Sequence, residues 1–252
     1  MRRAPGLLLA LLLCFAAPAR AAEVSALFLG NSFTYFNDLP RTLSDLAASL
    51  GDRVVVASYA PGGYTLAQHA SDPRALKMIR GKSWDFVVLQ EQSQRPSFDA
   101  AQVAAEVLPA AARLTELVRD SGSKRRIVFF ETWGRRDGDA SNCKQMPAVC
   151  TYAGMQQRLT ATYQDLARRH DALLAPVGEA WAAVRAAHPD LNLYAPEGVH
   201  PSPEGTYLAA CVFYAALFKK SPVGAAPLYV SGERAAILQR AAAASALPQS
   251  RP

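Results

Sequence analysis

Asp85-Phe86-Val87-Val88-Leu89-Gln90-Glu91-Gln92-Ser93 carries a short run of apolar residues with nothing polar alternating through it, stopped abruptly by four polar residues. A strand with one face in water alternates apolar and polar positions, whereas a run that stays apolar is covered on both faces. Val54-Val55-Val56 reads the same way. Working outward, β-rich runs fall at 24–29, 53–58, 85–89 and 126–131, with a weaker one at 172–175. Helical patterns separate them at 39–50, 66–79, 99–120, 151–170 and 177–187, and two more follow at 203–218 and 232–246. Strands alternating with helices predict a parallel sheet in an α/β sandwich.

The composition fits one such domain. Of 252 residues, 50% are hydrophobic and 19% charged, with 15 Gly and 17 Pro, which excludes a disordered, collagenous or disulfide-scaffold chain. The N-terminus differs from the rest: Arg2 and Arg3 precede an apolar run, Leu7 to Ala17, that ends in Pro18-Ala19-Arg20-Ala21. This pattern predicts a secretory signal peptide over 1–21, too short for a membrane span, followed by a single domain over 22–252. The expected destination is therefore export, to the periplasm or outside the cell, with no stable span once the signal is removed.

Losing Arg2, Arg3 and Arg20 with that segment leaves 24 cations against 21 acids and lowers the formal charge from +6 to +3. The short runs Lys124-Arg125-Arg126 and Arg135-Arg136 read as solvated charges rather than a basic stripe, which argues against nucleic acid as a partner. Of the remaining cysteines, Cys143 and Cys150 bracket a short loop and are expected to pair in an oxidising compartment. Cys211, in an apolar helical stretch, reads as a buried thiol. The Cys143/Cys150 spacing matches no zinc pattern, and no metal site is expected.

In an open parallel sheet, ligands bind beyond the carboxyl ends of the strands. The residues there are Gly30-Asn31-Ser32-Phe33-Thr34, Tyr59-Ala60-Pro61-Gly62-Gly63, Gln90-Glu91-Gln92-Ser93 and Thr132-Trp133-Gly134. Ser32 alone reads as a helix N-cap or a nucleophile. The balance changes with Glu197-Gly198-Val199-His200-Pro201 near the other end of the chain. Serine hydrolysis needs a hydroxyl, an imidazole to take its proton and a carboxylate to hold the imidazole.

Together, Leu27-Phe28-Leu29-Gly30-Asn31-Ser32-Phe33-Thr34 and Glu197-x-x-His200-Pro201 resemble the SGNH (GDSL-like) hydrolases, whose catalytic blocks span nearly the whole domain. The resemblance implies a three-layer α/β/α sandwich with a parallel, flavodoxin-like five-stranded sheet. It implies Ser32 as nucleophile, His200 as general base and Glu197 as the acid, where the family normally has Asp. It also implies an oxyanion hole from the Ser32 N–H, a glycine N–H at Gly63 or Gly62, and a side-chain amide. The family's Gly-x-Asn-Asp block is absent, so Gln90, or alternatively Gln92, is expected to supply that amide. Thr132-Trp133-Gly134-Arg135 and Ala175-Pro176-Val177-Gly178-Glu179-Ala180-Trp181 suggest a divergent branch.

Asn31, Glu91 and Trp133 are candidates for substrate contact. Glu91 reads either as a polar contact for a sugar hydroxyl or as a partner for Arg95, and Trp133, like Trp181, either as a cleft wall or as core. Glu131 lies near the site or serves as a structural carboxylate, and His69, His170 and His188 read as surface or capping residues. The expected function is an exported esterase acting on small, possibly O-acetyl, esters or an acylated glycan, without a cofactor. The competing readings are a carbohydrate acyltransferase and an inactive glycan-binding module.

Overall fold

The computed structural model describes residues 23–122 and 126–248; the expected signal peptide at 1–21, and Lys124 and Arg125, lie outside them. Five strands, β1 (Glu23–Leu29), β2 (Arg53–Tyr59), β3 (Phe86–Leu89), β4 (Arg126–Phe130) and β5 (Leu173–Ala175), form one sheet in the order β2-β1-β3-β4-β5. Every pairing is parallel, with Leu29 level with both Tyr59 and Leu89. This is the flavodoxin-like order, and the reversal between β1 and β3 opens the crevice in which ligands bind.

Side chains alternate across β1, so Ala26 and Phe28 join one apolar core while Leu27 and Leu29 join the other. The first core is covered by α2 (Leu39–Ser49), α8 (Val177–Ala187), α9 (Pro203–Phe218) and α10 (Gly232–Ala246). The second is covered by α3 (Leu66–Ser71), α4 (Pro73–Gly81), α6 (Leu108–Asp120) and α7 (Tyr152–Arg169). Helix α9 is apolar nearly all round because it lies between the sheet and α2, α8 and α10, and it buries the thiol of Cys211.

Two expected helices are broken. At 66–79, Asp72 ends α3 and caps α4, accepting from the Arg74 N–H at 2.7 Å, with Pro73 in the first turn. At 99–120, Val107 separates α5 (Ala100–Glu106) from α6, whose first turn holds Pro109. Proline lacks the N–H that would continue either helix and its ring crowds the preceding turn. Cys143 and Cys150 form the expected disulfide. Among the described residues no helix is long and apolar enough to cross a membrane, and no group of three or more His, Cys, Asp or Glu could hold a metal ion.

Candidate active site

The chain leaves β1 through Gly30 and enters α1 (Ser32–Tyr35), a single turn capped by Asn31, whose side chain accepts from the Phe33 N–H at 3.2 Å. Ser32 is the first residue of that turn and is half-buried. Neither its hydroxyl nor its N–H finds a hydrogen-bond partner among the described residues, so both are available to a reacting group. Gly62 and Gly63 occupy an exposed turn closed by the Tyr64 N–H donating to the Pro61 carbonyl at 3.2 Å. Gly63 takes φ +72°, the left-handed conformation that the third position of such a turn favours.

His200 sits on a tight loop between Tyr194 and Pro201, which pair as an isolated antiparallel bridge. Glu197 Oε1 accepts both the His200 backbone N–H at 2.9 Å and the imidazole Nδ1–H at 2.8 Å. Placing the proton on Nδ1 leaves Nε2 free to accept one. Burial pushes the Glu197 carboxyl up, but hydrogen bonds from His200 outweigh it and hold the group below its ordinary range. The imidazole stacks on Phe36, with ring centres 4.3 Å apart, and meets the edge of Phe33 at 5.9 Å. Asn37 Nδ2 donates to the Pro201 carbonyl at 3.0 Å. The two loops, distant in sequence, are thus held together by Phe33, Phe36 and Asn37, which follow Ser32 directly.

Four expected contacts are corrected by this geometry. Gln90 is fully buried, and its amide is saturated: Oε1 accepts from the Asn31 N–H at 3.1 Å and the Thr34 hydroxyl at 2.9 Å. Its Nε2 donates to Asn31 Oδ1 at 2.8 Å and the Glu91 carbonyl at 2.7 Å, leaving no proton for an oxyanion. Asn31 is 2% exposed and spends its own amide on the Tyr64 carbonyl at 2.9 Å, so it faces the fold rather than a substrate.

Glu91 is also fully buried, accepting from the Leu66 N–H at 3.2 Å and the Gln92 N–H at 2.6 Å; Arg95 pairs with Glu106 instead, at 2.9 Å. Burial pushes the Glu91 carboxyl up to about 7. Trp133 is core, stacked between Phe33 at 4.4 Å and Trp181 at 4.1 Å, while its N–H supports the histidine loop through the Val199 carbonyl at 3.0 Å. The Gln92 side chain folds back on its own loop, its Oε1 accepting from the Gln94 N–H at 2.8 Å.

Other expectations also change. Arg135 is structural rather than merely solvated, pairing at 2.8 Å with the fully buried Asp139, whereas the Arg136 guanidinium stays exposed and pairs with the exposed Asp137 at 3.0 Å. His69, expected in a surface or capping role, is fully buried and donates from Nε2 to the Gly30 carbonyl at 2.8 Å. Its signal was its place three residues after Leu66, on the buried face of α3. His188 does lie at the exposed end of α8.

Glu131 is fully buried, accepting from the Thr160 hydroxyl at 2.7 Å and Gln156 Nε2 at 3.3 Å, and burial pushes its carboxyl up to about 8. An acid whose folded value is raised stabilises the fold fully below its unfolded value, and that contribution is lost as pH rises through the folded value. Between about pH 5 and 9, Glu131→Gln is therefore expected to gain stability relative to wild type by an amount on the order of a few kcal/mol. Urea unfolding of both proteins across that range checks this; a pH-independent difference would contradict it.

Comparison with solved structures places this fold. The chain is similar to an SGNH hydrolase assignment from Slackia heliotrinireducens, with 33% identity, TM-score 0.62, and coverage of 78% of this chain and 99% of that one. It is also similar to a DUF4886 family protein from Bacteroides uniformis, at 18% identity, TM-score 0.76, and 87% and 93% coverage. A single-residue variant of an acetyl-xylooligosaccharide esterase from Geobacillus shares the fold at 19% identity and TM-score 0.50, with 78% and 95% coverage. No protein-family model matches the sequence, and no curated protein does. The chain belongs to the SGNH (GDSL-like) hydrolases, a class that acts on ester bonds.

Proposed function

We propose that the chain is an exported serine esterase that hydrolyses small acyl esters, O-acetyl groups on carbohydrates among them, through Ser32, His200 and Glu197. The observation that carries this reading is the Glu197–His200 hydrogen bond, at 2.8 Å, on an imidazole packed against the turn that Ser32 begins. His200 Nε2 takes the Ser32 proton as Oγ attacks the ester carbonyl, and the Ser32 and Gly63 N–H groups receive the oxyanion. The proton then passes to the departing alcohol and an acyl-enzyme remains. Water, deprotonated by His200, releases the acid and restores the serine. The Cys143–Cys150 bond supports the exported location, since such bonds persist in oxidising compartments. The likeness to an acetyl-xylooligosaccharide esterase supports the choice of an acylated carbohydrate.

The Glu197 side chain is 46% exposed, so water screens its charge more than that of a buried acid. Glu197→Gln is therefore expected to lower kcat on p-nitrophenyl acetate by about 10- to 100-fold, less than loss of a buried triad acid costs. Steady-state kinetics of the purified variant test this, and an unchanged kcat would remove Glu197 from the mechanism. Release of free acetate from an acetylated oligosaccharide tests the reaction itself; transfer of acetate to an added glycan acceptor would favour an acyltransferase, and no turnover a binding module.

A further inference from the structure

We propose that His69 and Gln90 are positioning residues that fix the direction of Ser32 by gripping the Gly30–Asn31 peptide from its two opposite edges. The inference rests on the reading of Ser32 as nucleophile and assigns both residues a role in the same reaction. In a trans peptide the carbonyl and N–H point to opposite sides. Here the Gly30 carbonyl accepts from His69 Nε2–H at 2.8 Å, and the Asn31 N–H donates to Gln90 Oε1 at 3.1 Å. Rotating that peptide plane would break two buried hydrogen bonds at once, and each buried group left unpaired is costly. Ser32 is the next residue but one after Gly30, so the grip is passed to the nucleophile through Asn31 alone.

The same cluster reaches the other oxyanion donor. His69 lies edge-on between Tyr64, at 5.1 Å, and Tyr59, at 5.9 Å. The hydroxyls of both tyrosines donate to Asp72 Oδ2, at 2.8 Å from Tyr59 and 2.9 Å from Tyr64. Tyr64 closes the turn that carries Gly62 and Gly63, and its carbonyl accepts from Asn31 Nδ2 at 2.9 Å. Thus one buried group joins the serine turn to the glycine turn. Alignment between a nucleophile and its oxyanion donors matters on a scale of about 1 Å, where a misplacement costs roughly 100-fold in rate. Burial holds the His69 imidazole below its ordinary range, so it remains the neutral Nε2–H donor.

The test compares three substitutions at His69. Leu keeps the apolar contacts but removes the donor, Gln carries an amide nitrogen at about the reach of Nε2, and Asn carries one too short to reach Gly30. With p-nitrophenyl acetate, His69→Leu and His69→Asn are expected to lose at least about tenfold in kcat with KM nearly unchanged. The rate of labelling by a fluorophosphonate should fall in parallel, and His69→Gln should recover most of both. A folded His69→Leu protein with wild-type kcat and labelling would overturn the proposal. If His69→Leu does not fold, equal kcat for Gln and Asn would overturn it, since a packing role alone does not distinguish them by donor reach. A wild type that neither hydrolyses nor labels would instead overturn the assignment of Ser32, and the proposal with it.

Discussion

Ser32→Ala and His200→Ala are each expected to lower kcat/KM on p-nitrophenyl acetate by about 1,000-fold or more while leaving the thermal midpoint within a few degrees of wild type. The two halves of that expectation come from different features. The Ser32 hydroxyl is a half-buried group without a hydrogen-bond partner among the described residues, so removing it costs the fold little. The imidazole is 27% exposed and stacks on Phe36, so its loss costs a modest amount of packing. Catalysis responds otherwise, because nucleophile and base act as one unit and either loss removes the attack. For the same reason the double variant should be little worse than either single one. Additive losses, or a His200→Ala enzyme with near wild-type turnover, would mean that the imidazole is not the base.

A large structural effect is also expected at Gly30, beside the serine turn. A Cβ built there lies 2.3 Å from Thr34 Oγ1 and 2.6 Å from Gln90 Oε1, well inside contact distance. Neither atom can easily retreat: Gln90 is fully buried and its amide makes four hydrogen bonds, and Thr34 donates one of them. Gly30→Ala must therefore push Gln90 off the Asn31 N–H or displace the start of α1. Breaking a buried network and overpacking the turn are among the few mechanisms that give large losses, and about 2–4 kcal/mol is expected. Urea unfolding measures the loss, and hydrolysis by the surviving folded protein should drop as well. A Gly30→Ala protein of wild-type stability would show that the turn yields where the network says it is fixed.

The sheet was legible because its evidence is local. Phe86-Val87-Val88-Leu89 has no polar residue between apolar ones, and both of its faces are indeed buried. Helix interiors were equally legible, whereas the breaks at Asp72 and Val107 depended on weighing Pro73 and Pro109 against a continuing apolar pattern. The proposed triad was suggested by local patterns, because Glu197 and His200 lie three residues apart and Ser32 comes three residues after the end of β1.

What sequence could not convey is which polar side chains near the strand ends face inward. Gln90 stands where an amide donor was expected, but the end of β3 faces the turn that holds Ser32, and its protons are taken by Asn31 and by the Glu91 carbonyl. Asn31, Glu91 and Trp133 misled for the same reason: each is polar or aromatic next to the site, and each is buried in the scaffold that supports it. The contacts of His200 with Phe36, and of Asn37 with Pro201, join residues more than 160 positions apart and left no local pattern.

The most direct test of Ser32 as nucleophile is to treat the folded protein with a fluorophosphonate and measure its intact mass, then locate the adduct by peptide mapping. One adduct per chain, on Ser32, is expected, absent in Ser32→Ala and strongly slowed in His200→Ala. An unmodified wild type, or an adduct that persists in Ser32→Ala, would contradict it.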